Sequence, residues 1–265
     1  MLDTVRRRTS RLHATRRRRV ALVTGSGVAA AIAAALLVVG TLTSSAAPAP
    51  SSFPPAAGPP PVDHPLVVLG ASISAGTGSS PEQAWPAMVG HCLGHRVLVG
   101  AVPGAGYVAT GRGEQGPVAR LAREADLARL DPSFVVLQAG HNDIGTSPRT
   151  LQAAVTSTVT AVSRELPRTH LVLITVFAHV GVPSAEARAT DATIVAAARR
   201  ADPRVVVLDP LAEGWSFPRV ADGLHPTAAG QRLVADHVLD GLVRVGLAGP
   251  GTCPHGSSPP RLTPS

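Results

Sequence analysis

Five short apolar runs alternate along this chain with five longer stretches of helical period, and that alternation leaves few folds open. The runs are Leu66–Gly70, Arg96–Val102, Phe134–Ala139, His170–Phe177 and Val205–Leu208. Their near-continuous Val, Leu and Ile content suits strands buried on both faces. The stretches Pro81–Leu93, Pro117–Leu130, Pro148–Leu166, Ser184–Ala201 and Thr227–Val245 read as helices. Strand and helix in turn predict a three-layer α/β/α sandwich around a five-stranded parallel sheet, spanning residues 66–247. Chemistry in such sheets collects beyond the carboxyl ends of the strands, so the residues just after each run are the ones to inspect.

The ends of the chain read differently. The formal net charge of +7 suggests nucleic acid until its location is noted. Eight of the 24 basic residues, all Arg, lie between Arg6 and Arg19, where Asp3 is the one nearby acid. The rest of the chain balances 16 Arg against 16 acids, which leaves no extended basic face for a phosphate backbone. At 3% aromatic content a base-stacking platform is equally disfavoured. Residues 1–19 therefore read as a cytoplasmic Arg-rich segment. Residues 20–42 are uncharged, and about 20 helical residues cross a hydrocarbon core of about 30 Å. Arginines before this stretch and none just after it orient the N-terminus inward. The stretch is expected to be a membrane anchor through an N-terminal helix or, alternatively, the apolar region of a cleaved signal. In either case residues 43–265 are exported. Residues 43–65 hold eight Pro among Ala and Ser, a linker composition, and 248–265 form a similar Pro-rich tail.

Four strings stand where the fold places chemistry. Gly70-Ala71-Ser72-Ile73-Ser74 follows the first run; Ser72 is either a nucleophile on a tight turn or the cap of the next helix. Val102-Pro103-Gly104-Ala105-Gly106 follows the second run, and Gly140-His141-Asn142-Asp143 the third. Asp222-Gly223-Leu224-His225 precedes the last helix, with an acid and an imidazole three residues apart. Taken together, in this order and at these strand ends, the strings resemble the SGNH subclass of the GDSL hydrolases. The resemblance runs from Leu66 to about Val245. It implies a flavodoxin-like SGNH fold and a serine esterase or lipase acting on carboxylic esters. It also implies Ser72 as nucleophile, Asp222 and His225 as its partners, and an oxyanion hole from Ser72, Gly104 and Asn142. Where the family's motif reads G-D-S this chain reads G-A-S, with Ala71 in the place of the Asp.

The chemistry asks for the same residue types on its own terms. A serine hydroxyl is a weak nucleophile until a neighbouring base takes its proton, and His225 has an acid at a spacing suited to fixing its tautomer. A developing oxyanion needs fixed donors, each worth about 3–4 kcal/mol in the transition state. Asp143 is expected to brace its loop rather than to catalyse, and His141 either lines the site or decorates a turn. Other motifs carry less. Gly104-Ala105-Gly106-Tyr107-Val108-Ala109 matches a dinucleotide fingerprint but follows the second strand, and Glu124 and Asp126 sit in a helical pattern, so no cofactor is expected. His91, Cys92 and His95 lack a second ligand pair, so no metal is expected.

In an exported chain the two cysteines, Cys92 and Cys253, are expected to pair as a disulfide. Trp85, Tyr107, Trp215 and Phe217 are most of the few aromatics; they are candidates for an acyl or sugar subsite, with core packing favoured for Trp85. The expected function is an extracytoplasmic serine esterase or acylhydrolase, membrane-anchored or secreted, with a small ester, lipid or acylated glycan as substrate. Two alternatives use the same residues. One is acyl transfer to a glycan; the other is a glycan- or lipid-binding domain with impaired catalysis.

Overall fold

The computed structural model describes residues 64–250 and Cys253. The Arg-rich segment 1–19, the apolar stretch 20–42 and nearly all of the linker and tail lie outside the described residues. Among the described residues no helix is long and apolar enough to cross a membrane.

Five parallel strands form one sheet: β1 (Leu66–Gly70), β2 (Val97–Ala101), β3 (Phe134–Gln138), β4 (His170–Ile174) and β5 (Val206–Leu208), in the order β2-β1-β3-β4-β5. Register is continuous across the middle of the sheet, with Val68 beside Val99 and Val136, and Val136 beside Val172. Successive side chains of a strand point to opposite faces, so each strand feeds two cores. Val67, Leu69, Val135, Leu137, Leu171 and Leu173 face one core; Leu66, Val68, Phe134, Val136, Val172 and Ile174 face the other.

Helices cover both faces. On the first lie α2 (Val118–Glu124), α4 (Pro148–Glu165) and α5 (Ala185–Ala201); on the second lie α1 (Trp85–Leu93) and α6 (Ala228–Arg244). A one-turn helix, α3 (Leu127–Leu130), follows α2. In α4 the buried set Leu151, Val155, Thr158, Val159 and Val162 recurs at the three- and four-residue spacing of one helical stripe. Each such aliphatic side chain contributes roughly 1.5–3 kcal/mol when fully buried. Ser147, Ser184 and Thr227 cap α4, α5 and α6, their hydroxyl oxygens accepting from the N–H groups of Thr150, Ala187 and Gly230. The fold is thus the expected three-layer sandwich.

Three elements differ from the sequence reading by more than a residue at either end. The helix expected over Pro117–Leu130 breaks after Glu124, because Asp126 takes a left-handed conformation at φ 48°. The first helix opens with a separate 3-10 turn, Pro81–Gln83, before α1. The fourth apolar run leaves the ladder at Ile174, and beyond it the N–H of Val176 donates to the Asp191 carboxylate instead.

The connections from β1 run to β2 on one side and, by way of β2, to β3 on the other. The crevice for ligands therefore opens at the carboxyl ends of β1 and β3.

Candidate active site

Ser72 lies two residues beyond the end of β1, on a turn closed by Ala75 N–H donating to Ala71 O and Thr77 N–H to Ser72 O. Gln138, the last residue of β3, supports this turn from below. Its buried Oε1 accepts from the Ser74 hydroxyl at 2.9 Å and from the N–H of Ala71 at 3.3 Å. From α6, the buried Gln231 donates through Nε2 to Ile73 O and accepts through Oε1 from Trp85 N–H. Ala71 itself is buried. The turn is braced by two neutral amides, and no acid of its own takes part.

The loop before α6 carries the acid and the imidazole. Gly223, at φ 71°, lets the chain double back so that one oxygen of Asp222 accepts from the N–H groups of Leu224 and His225 at 2.8 and 2.9 Å. The other oxygen meets His225 Nδ1 at 2.6 Å. A carboxylate only accepts, so Nδ1 carries a proton, and in the neutral imidazole Nε2 then presents a lone pair. That lone pair faces the Ser72 hydroxyl, with Nε2 2.8 Å from Oγ. The contact joins residues 153 positions apart in sequence. The His225 ring bond and then the two N–H groups hold the Asp222 carboxyl well below the usual carboxylate range, so it stays ionised.

The two remaining expected donors sit on neighbouring loops. Gly104 has φ 84°, a left-handed turn that suits glycine. Among the described residues, the N–H groups of Ser72 and Gly104 have no protein acceptor. Asn142 lies in the 3-10 turn His141–Asp143 and donates through Nδ2 to Ala105 O at 2.8 Å, which leaves its second amide hydrogen uncommitted. Asp143 is fully buried and accepts from the N–H groups of Tyr107, Val108 and Ala109 at 2.8–3.0 Å. Those are the amides that a dinucleotide turn would offer to a phosphate, and here Asp143 takes them.

The other sequence candidates divide. His141 joins the site: its Nδ1 donates to Phe177 O at 2.7 Å, and its ring meets that of His179 edge-on at 5.2 Å. Burial, and to a lesser extent the charges of His179 and His225, lowers the His141 pKa. Its Nε2 is therefore an acceptor at neutral pH. Trp85 and Tyr107 are buried in the core, while Trp215 and Phe217 line a cavity with Phe177. Cys92 is bonded to Cys253, Cα atoms 5.2 Å apart, and so is no metal ligand. His95 Nδ1 lies 3.2 Å from His64 O, away from the site.

Sequence reasoning missed Gln138, Gln231 and His179. A polar amide closing an apolar run, or interrupting the apolar face of a helix, was the one available signal for the two glutamines.

The model of the GDSL-like lipase/acylhydrolase family matches residues 68–233, more than half of the chain. The chain belongs to this family. It is a hydrolase of carboxylic esters on the SGNH fold. Among solved structures it is similar to TesA, with 25% identity, 68% of this chain and 98% of that chain covered, and a TM-score of 0.55. A psychrotrophic esterase, EstA from Pseudoalteromonas sp., shares the fold at 16% identity, with 69% and 98% coverage and a TM-score of 0.54. So does a family two carbohydrate esterase from Clostridium thermocellum, solved with cellohexaose, at 18% identity, 72% and 67% coverage and a TM-score of 0.56. No curated protein matches the chain.

Proposed function

We propose that this GDSL family member is an extracytoplasmic serine esterase in which Ser72, His225 and Asp222 form the catalytic relay. The observation that carries the reading is the unbroken hydrogen-bond line from the Asp222 carboxylate through both nitrogens of His225 to the Ser72 hydroxyl.

In the first half-reaction His225 Nε2 takes the hydroxyl proton as Ser72 Oγ bonds to the ester carbonyl carbon. Asp222, kept ionised, stabilises the imidazolium and holds its tautomer. The carbonyl oxygen becomes an oxyanion, which the N–H groups of Ser72 and Gly104 and the free amide hydrogen of Asn142 receive. Collapse breaks the bond to the leaving alcohol, and the imidazolium returns the proton to that oxygen. Water then attacks the acyl-serine, with His225 again as base, and releases the carboxylic acid and free Ser72. Ala71 takes no part in these steps, and the complete relay argues against a domain that has lost catalysis.

Export is supported by the Arg block ahead of the apolar stretch 20–42 and by the Cys92–Cys253 bond, a linkage suited to an oxidising compartment. On this reading the stretch 20–42 anchors the enzyme or directs its secretion. The test is hydrolysis of 4-nitrophenyl acetate and butyrate by the purified protein and its Ser72→Ala variant, with an added sugar acceptor to separate hydrolysis from acyl transfer. Equal turnover by folded Ser72→Ala would refute the proposal.

A further inference from the structure

Beside the relay lies a cavity of about 310 Å³, large enough for a small ligand group. Its lining includes Phe177, His179, Val180, Trp215, Phe217 and Arg219. The aromatic part is fixed: Phe177 packs edge-on against both Trp215 and Phe217, at 5.8 and 5.9 Å between centroids. Trp215 is held from behind by His237, stacked at 4.8 Å, and by its indole N–H donating to Glu213. Val180 adds an exposed apolar edge.

Arg219 is out of keeping with these neighbours. Its guanidinium carbon lies 4.0 Å from the centre of the Phe217 ring, and Nη1 donates to Phe217 O. Its Nε is buried without an acceptor. Among the described residues no carboxylate pairs with it, and burial, with nothing offsetting it, lowers its pKa. A half-buried cation without a counter-ion is costly, whereas an oxyanion in the cavity would supply the missing charge. Guanidinium geometry suits carboxylate and phosphate, and an aromatic floor suits an apolar body.

The cavity also shares its walls with the relay. Arg219 pairs in an antiparallel bridge with Pro226, the residue after His225, and Val220 N–H donates to His225 O. Val180 N–H donates to Gly223 O, inside the Asp222–His225 turn. His179 packs on His141, whose Nδ1 is held by Phe177 O.

We infer that this cavity is a substrate subsite that takes an apolar group carrying an oxyanion, a carboxylate or a phosphate, with Arg219 as its recognition residue. The inference rests on the esterase reading for the word substrate, and the experiment separates the two. Binding of phenylacetate, phenyl phosphate and neutral phenylacetamide is measured by calorimetry on the intact protein and on its Arg219→Met and Arg219→Lys variants. Hydrolysis of 4-nitrophenyl butyrate by the parent is followed with each compound added. The expected result is at least about ten-fold tighter binding of an anion than of the amide, a ratio that collapses in Arg219→Met and partly returns in Arg219→Lys. The bound anion is also expected to compete with the ester, and the tighter of the two anions identifies the group recognised. Equal affinities, no binding, a preference that survives in folded Arg219→Met, or non-competitive inhibition would each overturn the subsite. An inactive parent would instead overturn the esterase reading, and the calorimetry would still decide whether Arg219 binds the anion.

Discussion

The side-chain amide of Asn142 donates to the carbonyl of Ala105 at 2.8 Å, and this bond ties the loop after β3 to the loop after β2. Ala105 follows Gly104, so two of the three proposed oxyanion donors are positioned against each other rather than independently. Asn142→Ala removes a donor and the tether at once. Its kcat for a short-chain ester is expected to fall by about 100–1000-fold or more, with a smaller change in KM, because the donor acts mainly on charge that develops in the transition state. A loss confined to KM would show that Asn142 binds ground-state substrate instead.

Asp143 organises the same loop from inside. Its two oxygens accept three consecutive N–H groups, and a Cβ at Gly106 would collide with that carboxylate. Asp143→Asn would turn an NH2 group toward N–H donors and leave at least one of them buried and unpaired. The expected cost is about 1–3 kcal/mol of stability, together with reduced turnover as Gly104 loses its setting. Gly106→Ala should act in the same direction. Chemical denaturation and kcat measured in parallel check both, and a variant with parental stability and rate would show that the loop does not need this brace.

Within the relay, Asp222 and His225 should fail differently. His225→Ala removes the base and nearly all turnover. Asp222→Asn offers the ring an NH2 group as well as an oxygen and favours the wrong tautomer, for which a loss of about 10⁴ in kcat is expected. The His225 ring bond and the turn N–H groups keep Asp222 ionised well into acid, so Asp222 contributes no proton uptake to the acid limb. The plot of log kcat/KM against pH should therefore rise there with a slope of one. A slope of two would mean that a second group, Asp222 included, must also lose a proton.

The site strings were legible because the peptide segments that hold them are short and local. The Asp222–His225 turn closes within four residues, and each donor sits just beyond an apolar run. The strands were legible because a doubly covered parallel sheet needs uninterrupted Val, Leu and Ile. What stayed hidden depends on partners far away in sequence. Nothing near Gln138 announces that it holds Ser74, and nothing near Arg219 announces that it lacks an acid. The break at Asp126 was equally silent, since no Gly or Pro marks it and the helical pattern continues through it.

The Cys92–Cys253 bond joins α1 to a point 161 positions later. In the chain-entropy picture a loop of that length contributes up to about 5 kcal/mol, an upper figure because the unlinked chain keeps residual structure. Cys253→Ser is expected to lower Tm by several degrees while leaving kcat near that of the parent, because the bond lies at the far end of α1 and not at the strand ends that carry the relay. Addition of reductant should lower the parent's Tm toward that of the variant and leave the variant unmoved. If reductant shifts both proteins equally, the effect does not come from this bond.

Stability should also carry a pH signature from Asp191. This carboxyl on α5 is buried, accepts from Val176 N–H at 3.2 Å, and lies beside Asp209. Burial, with the like charge of Asp209 adding to it, pushes its pKa up to about 6. In the unfolded chain an Asp titrates near about 3.9, so between about pH 4 and pH 6 the folded state binds more protons than the unfolded one. The contribution of this group is then fully present below about pH 4 and is lost as pH rises through about 6. Asp191→Asn keeps an oxygen for Val176 N–H and cannot ionise. Its Tm should exceed the parent's at about pH 8, with a margin that narrows as the pH falls toward 4. The same segment, Val176–Phe177, supplies the carbonyl that orients His141, so the variant should also hold that ring in place at alkaline pH. Parallel Tm curves for the two proteins across this range would mean that Asp191 is no harder to ionise in the folded protein than in the unfolded chain.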